Sequence, residues 1–314
     1  MISNKMKGNA ALLFTAVIWG SGFIAQKLGM SVLPPLAFNG IRQLCAAIVL
    51  MPYLAYNLKK SGYFSREKST YEQIRARKNQ VILGGFVCGA FMMLGSNLQQ
   101  VGLVTVSAGK SGFITAIYIV MVPLLSIFLG KKLTFKTAFC CTLAMIGFAF
   151  LSLRGGLGNV TSGDIITLIS AVFFACQIIA VNNFVTKEND IMLSVLQMFI
   201  SGAATVPLSL LCESYTFADL VQCAPIITYS TLLPTALGFT FQIVGQKYTD
   251  ATTASFLLSL ESVFSAIFGA IVLHESMSGK ELLGCFLIFL SNIIVQIEGR
   301  PKLPRSPRDS SEGE

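Results

Sequence analysis

The sequence predicts an all-α integral membrane protein of ten transmembrane helices, arranged as two inverted repeats of five. Three observations carry this expectation. Charge is scarce: of 314 residues, 12% are charged and 54% hydrophobic, with a mean hydropathy of +0.70. A soluble domain is about 25% charged. Apolar runs of about 20 residues, enough to cross a bilayer as a helix, recur along the whole chain. The second half also repeats patterns of the first.

Taken in order between turn and charge signals, the runs fall at 9–29, 34–56, 80–102, 105–129 and 134–153, then 163–185, 191–211, 224–246, 251–273 and 279–297. The first follows Lys5 and Lys7 and so resembles a signal peptide, but it lacks an A-x-A site and nine more spans follow. Several connections are short enough to force antiparallel neighbours. Residues 57–79 read as the one sizeable soluble loop. The tail "RPKLPRSPRDSSEGE", 300–314, is polar and proline-bearing and is expected to be disordered and cytoplasmic.

Orientation follows from the basic residues. Of 23 lysines and arginines, eighteen fall on the side that holds the N-terminus. Only Arg154 and Lys280 fall on the other side, and Lys27, Arg42 and Lys110 lie within or at the ends of spans. The positive-inside rule puts both termini in the cytoplasm of a cell that carries the protein in its inner or plasma membrane.

The net charge of +8 has no aromatic-rich soluble domain around it, which excludes nucleic acid as a partner. Eight cysteines without a C-x-x-C, and one histidine, His274, leave no zinc pattern. Cys212 and Cys223 flank one outer loop and could pair. No G-x-x-x-x-G-K-[ST] occurs, which argues against direct coupling to ATP. Neither an H-E-x-x-H nor an aspartate pair lies within the spans, so an intramembrane enzyme is not expected, nor is any cofactor.

"LFTAVIWGSGFIA" from residue 13 matches "LISAVFFACQIIA" from residue 168, a shift of 155. "LGKKLTFKTAFCC" at 129–141 matches "LHESMSGKELLGC" at 273–285, a shift of 144. The units are 1–156 and 157–299. Five spans per unit make the second copy enter the membrane the opposite way up. Inverted repeats place a site at mid-membrane and support alternating access.

Four segments carry a family resemblance: W-G-S in the first span, "NGIRQLCAA" in the second, "SAGKSGFITAIYIVMVPLL" in the fourth and "SFLLSLESVFSAIFGAIVLHE" in the ninth. In both halves and over nearly the whole chain, they resemble the EamA type of the drug/metabolite transporter superfamily. The resemblance implies a ten-helix carrier that exports or exchanges small metabolites, amino acids or drugs. The family usually writes E-P in the ninth span; here it is Glu261-Ser262.

Thr15, Trp19, Gly22 and Gln26 share one helix face, and Ser170, Phe174, Gln177 and Val181 form the matching face of the sixth span. Two facing stripes of aromatic and amide groups would line a central cavity; the competing reading is close packing. Charges inside a bilayer cost at least about 2.5–3.5 kcal/mol and usually face a cavity or a partner. Lys27 ends its span and can snorkel outward. Lys110 shares an arc with Ser107, Ile114 and Tyr118, a cation, a hydroxyl and a ring suited to ligand recognition. The resemblance favours a gating ion pair for Arg42 over substrate selection. Glu261 is either a proton carrier or a counter-ion to Arg42 or Lys110. Ser255, Ser259 and Ser262 read as packing residues. Asn97 and Gln100, and Gln242 and Gln246, would either guard opposite mouths of one pathway or bond between helices.

The expected function is a secondary active transporter that exports or exchanges small polar metabolites, amino acids or other carboxylates, with proton coupling. Efflux of cationic drugs is the alternative, and a non-transporting sensor the third. Candidate substrate-binding residues are Trp19, Gln26, Arg42, Asn97, Lys110, Tyr118, Gln177, Gln242 and Glu261, with a small-molecule substrate and membrane lipid as partners.

Overall fold

The computed structural model describes residues 4–61, 63–64, 70–152, 161–186, 189–272 and 278–297. The junction at 156, Arg154, His274 and the tail 300–314 lie outside them. The described elements are helical. They run α1 (Asn4–Gly29), α2 (Pro35–Ser61), α3 (Tyr71–Gly102), α4 (Ala108–Thr115), α5 (Tyr118–Phe128) and α6 (Phe135–Ser152). Then come α7 (Ser162–Phe184), α8 (Asp190–Cys212), α9 (Phe217–Ser230), a π-helical stretch (Thr231–Gly238) and α10 (Phe239–Gln246). The chain closes with α11 (Ala251–Ser259), α12 (Glu261–Val272) and α13 (Gly279–Gln296).

Eight runs among the described residues are long and apolar enough to cross a membrane: α1, α2, α3, α4–α5, α7, α8, α9–α10 and α11–α12. The apolar parts of α6 and α13 are shorter. The expected loop 57–79 is largely helix instead, because α2 continues to Ser61 and α3 starts at Tyr71. A capping box starts α3 early. Thr70 Oγ1 accepts from Gln73 N–H at 3.3 Å, and Gln73 Oε1 accepts from Thr70 N–H at 3.1 Å. Polarity ends an apolar run, but it does not end a helix.

Three spans are interrupted, each near mid-length. Tight turns at Ala116 and Ile117 separate α4 from α5. Leu260 separates α11 from α12, so the chain breaks before Glu261 without the family's proline. In the eighth run, Pro234 has no N–H to give to Ser230 O, and Thr235 Oγ1 supplies one at 2.7 Å. The backbone widens there into the π-helix, a form often found at functional sites.

The core packing pairs the halves. α3 lies on α7 and α8, α2 on α8, α6 on α13, and α1 on α12 and α10. Particular contacts recur at fixed offsets. Gly8 meets Gly245 as Gly163 meets Gly102, and Trp19 covers Gly238 as Phe174 covers Gly95. Lys27 Nζ donates to Leu103 O and Val106 O; Asn182 Nδ2 donates to Gln246 O and Thr249 O. Asn39 bonds Asn97 as Ser194 bonds Thr240. Residues of α1 and α2 recur 155 positions later, and those of α3 and its following turn 143 later. The first offset is the one the sequence repeat shows; the second differs by one from the match around residue 136.

Candidate functional site

The interrupted spans converge on one cavity. Trp19, Phe23 and Gln26 come to it from α1, Arg42 from α2, and Ser96 and Gln99 from α3. Thr115 and Tyr118 flank the α4–α5 break, while Glu261 follows the α11–α12 break. The second half adds Phe174, Gln177 and Ile178 from α7, Pro234 from the π-helix, and Phe239 and Gln242 from α10. Space for water within it amounts to only about 40 Å³. That admits a few waters and no solute of amino-acid size.

Arg42 is 4% exposed. Its Nε and Nη2 donate to Asn39 Oδ1 at 3.1 and 2.8 Å, and its Nη1 donates to Thr235 Oγ1 at 3.0 Å. Asn39 is in turn fixed by Ser96 and Asn97, and Asn97 by Thr205. Asn97 therefore sits behind Arg42 as support and is not brought to the cavity. The helix turn that puts Asn39 three residues before Arg42 was readable in "NGIRQ". The Thr235 contact was not, because it depends on the π-helix.

Glu261 is 3% exposed, and Tyr118 Oη donates to its Oε1 at 2.9 Å. It forms no ion pair with Arg42 or Lys110, which corrects the counter-ion reading. Arg42 and Glu261 are each held by neutral side chains. Gln177 and Gln242 exchange hydrogen bonds at 3.3 and 2.9 Å, and Gln177 also donates to Gln197 Oε1 at 3.0 Å. Gln242 is thus a cavity residue, not a mouth residue. Gln26 Oε1 is buried without a hydrogen-bond partner among the described residues. Trp19 Nε1 donates to Pro234 O at 2.9 Å, and its ring lies 4.8 Å from that of Phe239.

The remaining cations go elsewhere. Lys110 Nζ is 2.7 Å from Asp164 Oδ2 on α7, outside the cavity lining. Lys27 does not reach outward; it donates to Leu103, Val104 and Val106 carbonyls at 2.8, 3.2 and 3.1 Å. Such a cation suits the negative end of α3. Ser255, Ser259 and Ser262 each bond a carbonyl three residues earlier, leaving them as small packing groups. Cys212 and Cys223 are both free: Cys212 is exposed, while Cys223 is buried with its thiol 3.7 Å from Gly29 O.

A family model described as the EamA-like transporter family matches residues 6–153 and again 161–297. An uncharacterized transporter of Archaeoglobus fulgidus is 29% identical over 295 residues, covering 93% of this chain and 87% of its own. The uncharacterized transporter YvbV of Bacillus subtilis is 25% identical over 304 residues, covering 94% and 93%. The uncharacterized inner membrane transporter YedA of Escherichia coli is 21% identical over 304 residues, covering 95% and 92%. A solved structure titled only as a crystal structure of a protein superposes with a TM-score of 0.67 at 16% identity, over 91% of this chain and 95% of that one. That likeness speaks to the fold alone.

Proposed function

This chain belongs to the EamA-like transporter family, and on that premise we propose a secondary carrier that exports or exchanges small zwitterionic or carboxylate-bearing metabolites. It is a multi-pass membrane transporter. The observation that carries the solute class is that Arg42 and Glu261 share one cavity without pairing with each other. An α-amino acid would offer a carboxylate to Arg42 and an ammonium to Glu261. Its side chain would meet Phe23, Phe174 and Phe239. Charge-assisted hydrogen bonds of this kind are each worth about 1.5–3 kcal/mol.

Alternating access between two inverted five-span repeats is supported by the recurring contacts and by the narrowness of the cavity. A solute must enter by a rearrangement that the present packing does not admit. Glu261 is the acid placed to carry a coupling proton, in competition with the solute's ammonium. The basic residues support an inner-membrane orientation with both termini cytoplasmic.

Thermal unfolding of the purified protein against amino acids, organic acids and cationic drugs tests the class. A ligand at 100 times its Kd adds about 2.7 kcal/mol. Stabilisation by zwitterions is expected, and is lost in Arg42→Met and in Glu261→Gln. Stabilisation by cationic drugs alone, lost only in Glu261→Gln, would replace this reading with drug efflux. In proteoliposomes, Glu261→Gln should abolish uptake driven by a pH gradient and solute-for-solute exchange alike, because one carboxyl serves both the proton and the solute's ammonium.

A further inference from the structure

The same backbone contact recurs at opposite ends of the bundle, the places where alternating access would put the two mouths. At one mouth, a Cβ built on Gly163 would sit 2.7 Å from Gly102 O, and one on Gly102 would sit 2.8 Å from Gly163 O. At the other mouth, Gly8 and Gly245 meet in the same way, at 2.9 Å in each direction. Each seam joins a helix of one half to a turn of the other: α7 to the α3–α4 turn, and α1 to the α10–α11 turn. Backbones at this separation leave no passage.

The chemistry laid across the two seams differs. Asp164 lies one residue after Gly163, and its carboxylate takes Lys110 at 2.7 Å from across the seam. The corresponding residue next to Gly8 is Asn9. It accepts from Thr249 Oγ1 at 3.2 Å and donates to Gln296 Oε1 at 3.1 Å. Where Lys110 stands in the first half, the second has Thr253, whose hydroxyl turns back onto Asp250 at 2.7 Å. Lys247 and Asp190 do pair at this mouth, but they join α10 to α8 within one half. They move together and do not cross the seam.

We propose that Lys110 and Asp164 form an ionic latch across one mouth, at the place where the opposite mouth carries the neutral contacts of Asn9 with Thr249 and Gln296. The inference rests on the alternating-access reading above. Lys110 is then a gate residue and not a solute ligand, and closure at its mouth is weakened by charge removal or by salt. The Lys110 side chain is 35% exposed against 8% for Asp164, so mobile ions reach one partner. The Debye length falls from about 10 Å at 0.1 M salt to about 3 Å at 1 M.

The test is maleimide labelling of a cavity thiol, Thr115→Cys, in a Cys212→Ala background. The protein is reconstituted in vesicles of known orientation, and the impermeant reagent is added on either side. The same background without Thr115→Cys gives the contribution of the remaining thiols. Asp164→Asn and Lys110→Met should raise labelling from the Lys110 side about 3- to 10-fold, a ratio in which every tenfold is 1.4 kcal/mol. They should lower labelling from the far side. High salt should act likewise on the latched chain and not on Asp164→Asn. Lys110→Arg keeps the charge and should label at the original rate, which separates the latch from damage to the fold.

Unchanged rates from both sides in Asp164→Asn and Lys110→Met would overturn the latch. If Asn9→Leu still opens its own mouth in that case, alternating access stands and the latch alone falls. If Thr115→Cys labels from one side only in every variant, Asn9→Leu included, alternating access itself fails.

Discussion

Replacing Asn39 by leucine asks whether a buried guanidinium is held by neutral oxygens. Asn39 Oδ1 takes two donors from Arg42, at 3.1 and 2.8 Å, and one from Gln43 at 3.0 Å. Hydrogen bonds to charged groups contribute about 1.5–3 kcal/mol each. Because the two from Arg42 share one oxygen, their joint loss is expected near the lower end, about 3–4 kcal/mol. Arg42→Met removes the charge and strands little: Asn39 Oδ1 keeps Gln43, and Thr235 Oγ1 keeps Ser230 O. It should unfold within about 1 kcal/mol of the original chain, since apolar replacement of a buried charge is often neutral or stabilising. In the Arg42→Met background, Asn39→Leu should cost only about 1–2 kcal/mol, a coupling of about 2 kcal/mol. Equilibrium unfolding in mixed micelles measures the four corners of this cycle. Neutral side-chain hydrogen bonds in a membrane protein average about 0.6 kcal/mol. A coupling at or below that value would refute the claim that Asn39 stabilises the Arg42 charge.

Three further outcomes are expected. Trp19→Phe keeps a ring against Phe239 but loses the 2.9 Å donation to Pro234 O; unfolding should show a loss of about 0.5–1.5 kcal/mol. Gly163→Ala and Gly8→Ala each push a methyl onto a backbone oxygen. Overpacking of this sort costs about 1–3 kcal/mol, and each variant should speed cavity labelling at its own mouth; equal rates at both mouths would deny the seams a gating role. Cys212 is the exposed cysteine at the end of α8. An impermeant maleimide should label it on intact cells and fail in Cys212→Ala, whereas labelling only after permeabilisation would reverse the orientation read from the basic residues.

Much of the cavity was legible because helical periodicity fixes a face. The stripe through Trp19 and Gln26, its match through Phe174 and Gln177, and the rarity of Arg42, Tyr118 and Glu261 within apolar runs all lead to the same lining. Periodicity does not name a partner. Lys110 and Asp164 are 54 residues apart, and the carboxylate that claims the lysine sits at a span end, where an acid looks merely solvated. Pro234 signals a broken helix in the sequence, but only the folded chain shows that the repair through Thr235 turns a hydroxyl toward Arg42.

The repeat explains where function departs from symmetry. Backbone contacts recur at fixed offsets, while the side chains that do chemistry differ between equivalent places: Arg42 against Gln197, Asp164 against Asn9, Tyr118 against Glu261. The last pair lies 143 residues apart, the offset of the recurring contacts, and the two residues touch each other. Two glutamates meeting there would repel and could not both be ionised. Two tyrosines would leave the cavity without an acid. One of each gives a donor and an acceptor at the centre, and a single carboxyl on which the proposed competition between a proton and a solute's ammonium would turn. The difference between the halves is thus what sets a phenol donor, Tyr118, against the carboxyl of Glu261.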